Sequence, residues 1–296
     1  MSPEERKGLI YVALAVTFFA TTPVFIVWAD PMDPIVKTWG RMLVAASVVG
    51  LAAWLTTRRK ADAFQPESAH TRRNATTRFL AYGLIAALHF LFYIASLSFT
   101  TAAHSLSIVY TAPIFVTILS AALLKEAVRP RQWVGVGITV LGVAILAGLE
   151  PRMTWGMAFG DLLALLSAIT FGFYSVAGRY ERDRYPLLVY ASRVYGAAAI
   201  WLLLPALLAL PSMPPAAWGW AQLLSVVALG VGPLALGHTL YNASLRRTHA
   251  TYVNIIASQE VTGGIILSWL LLSQVPTPNA LAGAFVTLVG IALVLK

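Results

Sequence analysis

Glu260 is the one acidic residue that falls deep inside an apolar stretch, about ten residues into the run Ala250–Leu272. A charge at such depth costs about 2.5–3.5 kcal/mol on insertion scales, so an ionisable group there points to function by default. Its chemistry would be that of a counter-ion for a cationic solute or of a proton carrier. The plainer alternatives are an ion pair with Arg193 or a hydrogen bond to a neighbouring helix. Arg41 and Arg193 are the basic residues inside apolar stretches. A guanidinium fork grips a carboxylate bidentately, but it also snorkels to an interface. His89 and His238 could relay protons or simply bond between helices. Tyr93, Tyr110, Tyr174 and Tyr241 could line an apolar cavity and stack on a ring or cation, or else pack between helices. The sequence has no Cys, which excludes disulfides, thiolate metal sites and cysteine nucleophiles. No His-Glu-x-x-His pair occurs, so a metalloprotease lacks its parts, and neither a metal nor a cofactor is expected. A Ser–His dyad stays open.

The elements that position these residues follow from composition. Of the 296 residues 58% are hydrophobic and 11% charged, and the mean hydropathy is +0.75. A soluble domain carries about 25% charged residues, so most of this chain does not face water. The net charge of +9 fits loop charge better than nucleic-acid binding. Ten apolar stretches are long enough for a bilayer core: Gly8–Ala29, Pro34–Leu55, Phe79–Leu97, Ala102–Leu124, Gln132–Leu149, Gly160–Tyr180, Pro186–Leu208, Trp218–Leu245, Ala250–Leu272 and Pro278–Leu295. Helices are required, since the backbone must satisfy itself in lipid. The expectation is an all-α polytopic membrane protein of ten transmembrane helices. Seventeen of the 21 Lys and Arg residues fall in one set of loops, and only Lys37 and Arg152 in the other. That asymmetry predicts both termini in the cytoplasm. The polar loop Thr56–Thr77 reads as a solvated connector.

A shift of 148 positions aligns the third to fifth spans on the eighth to tenth without a gap. Tyr93-Ile94-Ala95-Ser96-Leu97 meets Tyr241-Asn242-Ala243-Ser244-Leu245, and Pro130 and Gly142 meet Pro278 and Gly290. A shift of 152 brings Arg41 onto Arg193. The chain therefore divides into five-helix repeats over 1–150 and 151–296. An odd span number turns the second upside down, a common plan in secondary transporters. Pro23, Pro113, Gly232 and Gly263 are expected hinges where spans line a cavity.

Arg41, the segment Tyr110-Thr111-Ala112-Pro113, Leu123-Leu124-Lys125-Glu126 and the later run Ser258-Gln259-Glu260-Val261 resemble the drug/metabolite transporter superfamily, in its ten-helix EamA-type members. Where that family shows Leu-Glu-Pro and then Leu-Gly-Glu, Glu260 keeps the first acid. Val261 replaces the proline and Gln274 the second acid. The resemblance implies a central cavity between the halves, with Gln259 beside Glu260 among its residues and the fifth and tenth spans peripheral. The expected function is export of a small amphipathic metabolite by alternating access, an amino acid with an aromatic or bulky apolar side chain above others. Protons are a coupling ion to consider, and a monomer or weak dimer is expected. The alternatives are a carrier of cationic or quaternary-ammonium compounds and, from another class, a membrane-embedded enzyme acting on lipid or peptide.

Overall fold

The computed structural model describes residues 2–58, 69–100, 102–147, 154–273, 275 and 278–295, and no strand occurs among them. The first half comprises α1 (Pro3–Phe19), α2 (Thr22–Trp28), α3 (Pro34–Arg58), α4 (Ala69–Ser96), α5 (Ala102–Val109), α6 (Ala112–Leu124) and α7 (Pro130–Ala147). The second comprises α8 (Trp155–Tyr180), α9 (Leu187–Ala209), α10 (Trp220–Leu229), a π-helix (Gly230–His238), α11 (Thr239–Leu245), α12 (Ala250–Ala257), α13 (Glu260–Leu272) and α14 (Pro278–Leu295). Local chemistry fixes several ends. Ser2 and Glu5 form a capping box at α1, and the Thr154 hydroxyl accepts from Met157 N at the start of α8. At Lys125 and Ser273, 148 positions apart, the chain turns left-handed with φ of 55° and 58° to close α6 and α13.

Seven segments are long and apolar enough to cross a membrane: Pro3–Trp28, Pro34–Thr56, Asn74–Ser96, Trp155–Tyr180, Leu187–Ser212, Trp220–Leu245 and Ala250–Leu272. The other three expected spans coincide with α5–α6, α7 and α14. Helices α3 and α4 run beyond their apolar stretches into the segment Thr56–Thr77, because apolarity marks where lipid ends rather than where a helix must stop. The surface is apolar, with Leu204 65% and Phe285 69% exposed, whereas Arg41 is 1% exposed. Water would penalise such an outside. Lipid does not.

The core sits where α3 and α4 pack on α9, and α4 and α6 on α8, while α1 lies against the π-helix and α11. Helices α7 and α14 pack chiefly on each other. Gly290 permits that crossing: a Cβ there would sit 2.4 Å from Thr139 Oγ1 and 2.6 Å from its backbone nitrogen.

Candidate functional site

Broken helices bring polar side chains to the middle of the bundle. α1 gives way to α2 at Ala20–Thr21, with Pro23 in the first turn of α2. α5 gives way to α6 at Tyr110–Thr111, ahead of Pro113. α12 gives way to α13 at Ser258–Gln259, which sets Glu260 in the first turn of α13, where the helix dipole favours a carboxylate. The π-helix contains Gly232 and Pro233 and ends at His238, and its wider turn rotates that residue relative to an α-helical register. These elements converge on a cavity lined by Arg41, His89, Tyr93, Tyr110, His238 and Glu260, with Phe19, Thr22, Phe90, Val109 and Phe171 completing the wall. It holds about 30 Å³ for water-sized occupants, enough for about two waters.

Two opposite formal charges face this space without pairing. Tyr110 Oη donates to Glu260 Oε2. Among the described residues no Lys, Arg or His nitrogen lies within 4.0 Å of that carboxylate. The Arg41 guanidinium carbon lies 4.7 Å from the Phe90 ring centroid, and its Nε and Nη1 have no hydrogen-bond partner among the described residues. Tyr93 Oη and His238 Nδ1 are likewise buried and unpartnered. His89 stacks on Phe171 at 4.7 Å, and His238 packs against Phe19 at 4.5 Å and Phe90 at 4.8 Å. His89 Nδ1 lies 2.9 Å from Ser167 Oγ, but that hydroxyl also donates to the His89 carbonyl at 3.0 Å. A serine has one proton to give, so the imidazole is the donor, and the pair is not arranged as base and nucleophile.

Tyr174 and Tyr241 form a second layer, stacked on Phe171 at 6.0 and 5.4 Å. Asn242 Nδ2 donates to Tyr174 Oη at 2.7 Å, and Tyr241 Oη donates to Asn254 Oδ1 at 2.9 Å. Gln259 is partly buried beside Glu260 and is not in the cavity wall. Arg193 is exposed and lies over Phe79 and Tyr185, at 5.2 and 5.3 Å. It is neither a cavity residue nor the partner of Glu260. Gly263 lets α13 approach α1, a Cβ there lying 2.7 Å from that of Ala20. Thr22 and Val109 were not distinguishable in the sequence. Each stands at a helix break, and the Thr21-Thr22-Pro23 and Tyr110–Pro113 segments were the available signal.

Ion pairs joining the first half of the chain to the second gather at the end of the bundle that carries Ser2. Arg179 Nε bonds Glu126 at 2.8 Å, Arg78 lies 3.3 Å from Glu181, and Arg247 lies 3.3 Å from Glu4. Burial pushes the Glu126 carboxyl up, but contacts with His249, Ser120 and Arg179 outweigh it and hold the group down at about 2. At the other end Lys37 pairs with Asp30, within one half.

A broken-helix bundle around a buried charged cavity is the architecture of a membrane carrier. The sequence profile of the EamA-like transporter family matches residues 6–148 and 158–296. The chain belongs to that family. An uncharacterized transporter of Pseudomonas aeruginosa is 30% identical over 53% of this chain and 50% of that protein. The aromatic amino acid exporter YddG of Ancylobacter novellus is 29% identical over 57% and 58%. A probable terminal-alkyne amino-acid exporter of Streptantibioticus cattleyicolor is 26% identical over 62% and 60%. The chain thus spans about half to three fifths of the length of these curated relatives. A solved protein crystal structure shares the fold, with a TM-score of 0.77 at 21% identity over 97% of this chain and 95% of that one.

Proposed function

We propose that the protein is a secondary transporter that exports amino acids, with aromatic or bulky apolar ones favoured, across a bacterial inner membrane by alternating access. In this reading it has ten spans arranged as two inverted five-helix halves with both termini cytoplasmic, and it is not an enzyme. The halves are supported by the two matched stretches of the family profile and by helix breaks and left-handed caps that recur 148 positions apart.

The observation that carries the reading is that Arg41, whose buried Nε and Nη1 lack a hydrogen-bond partner among the described residues, shares one aromatic-walled cavity with Glu260. A buried guanidinium without a counter-charge is strongly disfavoured unless an anion completes it. A zwitterion supplies both charges: its carboxylate meets Arg41, its ammonium meets Glu260, and a ring or long apolar side chain meets Phe19, Phe90 and Phe171. A quaternary-ammonium solute would satisfy Glu260 but leave Arg41 bare, so it ranks second. Pro23, Pro113, Gly232 and Gly263 act as hinges in this scheme, with protons as the coupling ion. Because the cavity is small, rings must part before solute enters, which is the behaviour of a gated carrier.

The test is flux of labelled L-phenylalanine through proteoliposomes. Wild type is expected to move it chemically unchanged, and Glu260→Gln to lose most of that flux while melting near the wild-type temperature. Wild-type flux in Glu260→Gln would remove the acid from the mechanism. A converted product would favour the enzyme.

A further inference from the structure

Unpartnered buried groups recur away from the central cavity, toward the end of the bundle that carries Ser2. Arg246, just past α11, donates through Nη1 to the carbonyls of Arg182 and Tyr185, both at 2.7 Å. That holds the guanidinium in place by one nitrogen. Its Nε and Nη2 are buried with no hydrogen-bond partner among the described residues. These two nitrogens form the side-on edge of the group, the one that meets both oxygens of a carboxylate at once. The Tyr190 ring lies 6.0 Å from the Arg246 guanidinium carbon. Tyr190 is 1% exposed, and its hydroxyl is also unpartnered. Tyr82 packs on Tyr190 at 6.5 Å and donates to Glu181 Oε1 at 2.9 Å. Both oxygens of fully buried Glu181 are taken up by arginines, Oε1 3.3 Å from Arg78 and Oε2 3.6 Å from Arg184. A donor left unsatisfied in the interior costs about 1–3 kcal/mol, and here a fork and a phenol are left so within one aromatic cluster.

We infer that Arg246 and Tyr190 form a second binding station, distinct from the central cavity, for the carboxylate of an aromatic or bulky apolar organic acid. The inference rests on the transport reading for its role: a solute entering from the cytoplasmic end meets the Arg246 guanidinium before it reaches Arg41. The ion pairs Arg78–Glu181 and Arg179–Glu126 border this region, so their parting admits or releases the solute.

The probe is 3-phenylpropionate, an aromatic carboxylate without an ammonium group, titrated calorimetrically into the purified full-length protein. The starting background is Arg41→Lys/Glu260→Gln, which removes the fork and the acid of the central cavity. Saturable binding is expected to persist there. Adding Tyr190→Phe is expected to weaken it about tenfold, the effect of one hydrogen bond to a charged group. Arg246→Lys, which keeps the charge but loses the fork, is expected to weaken it at least as much. Because the Tyr190 hydroxyl bonds nothing among the described residues, Tyr190→Phe should melt at or above the temperature of its background, so a folding defect cannot produce the loss. Absence of binding in the background, or binding that Tyr190→Phe leaves unchanged, overturns the station and leaves Arg246 meeting water only. Phenylalanine flux is scored separately. If wild type moves none while 3-phenylpropionate still binds through Tyr190, the transport reading fails and the station stands.

Discussion

Phe90 lies under the Arg41 guanidinium and packs edge-on against His238, so it sets where that charge stands. A desolvated cation–π contact contributes about 2 kcal/mol. Phe90→Leu should therefore raise the KM for phenylalanine flux by up to about thirtyfold, with a smaller change in maximal rate, in proteoliposome kinetics. Glu126 lies outside the spans and gives a pH prediction with a definite sign. Its carboxyl is lowered from 4.5 to about 2, so its contribution to stability is whole above about 4.5 and is lost as pH falls toward about 2. The melting temperature of wild type should exceed that of Glu126→Gln at neutral pH, and the gap should close on acidification across that window. A gap that does not change with pH would mean that the contacts of Glu126 with Arg179 and His249 contribute nothing through charge. At this scale the sequence was informative wherever a polar residue stood in an apolar run. Glu260, Arg41, His89 and His238 announced themselves by their cost. Phe19, Phe90 and Phe171 did not, since an aromatic residue in an apolar span has the same signature whether it faces lipid or a cavity.

Helix breaks decide that difference. Arg41 and Arg193 give matching signals at matching offsets, yet one is buried over Phe90 and the other is exposed over Phe79 and Tyr185. Which side of its helix an arginine occupies depends on how α3 and α9 pack, and no composition window reports that. The π-helix was legible only as a glycine- and proline-bearing stretch. Its change of register, which governs where His238 points, was not. Gly237 within it backs onto Phe19, where a Cβ would lie 2.9 Å from the ring. Gly237→Val should drive Phe19 toward the cavity and reduce flux of phenylalanine more than flux of alanine, measured side by side. Gly290→Val should instead separate α7 from α14 at a cost of about 1–3 kcal/mol. Since neither helix lines the cavity, the expected outcome is a lower melting temperature with the KM unchanged.

Across the whole molecule, the membrane class and most span positions were legible, because apolar length and loop charge are imposed by the bilayer itself. The clustering of half-to-half ion pairs at one end was not, since it joins residues as distant in sequence as Glu4 and Arg247. The topology is directly testable, and the lack of native Cys makes single-cysteine labelling clean. Ser2→Cys and Asp183→Cys should react with an impermeant maleimide only from the cytoplasmic side, and Ser212→Cys only from the outer side. Labelling of Ser2 and Asp183 from opposite sides would break the inverted-halves arrangement.

A chamber with space for only a couple of water molecules, walled by interlocked rings, cannot sustain an unbroken file of water from one compartment to the other. Cells carrying many copies of this protein should thus keep their ionic gradients undiminished between turnovers. Enlarging the chamber, as Phe171→Ala would, should be felt first as leakage of small ions rather than as faster solute flux.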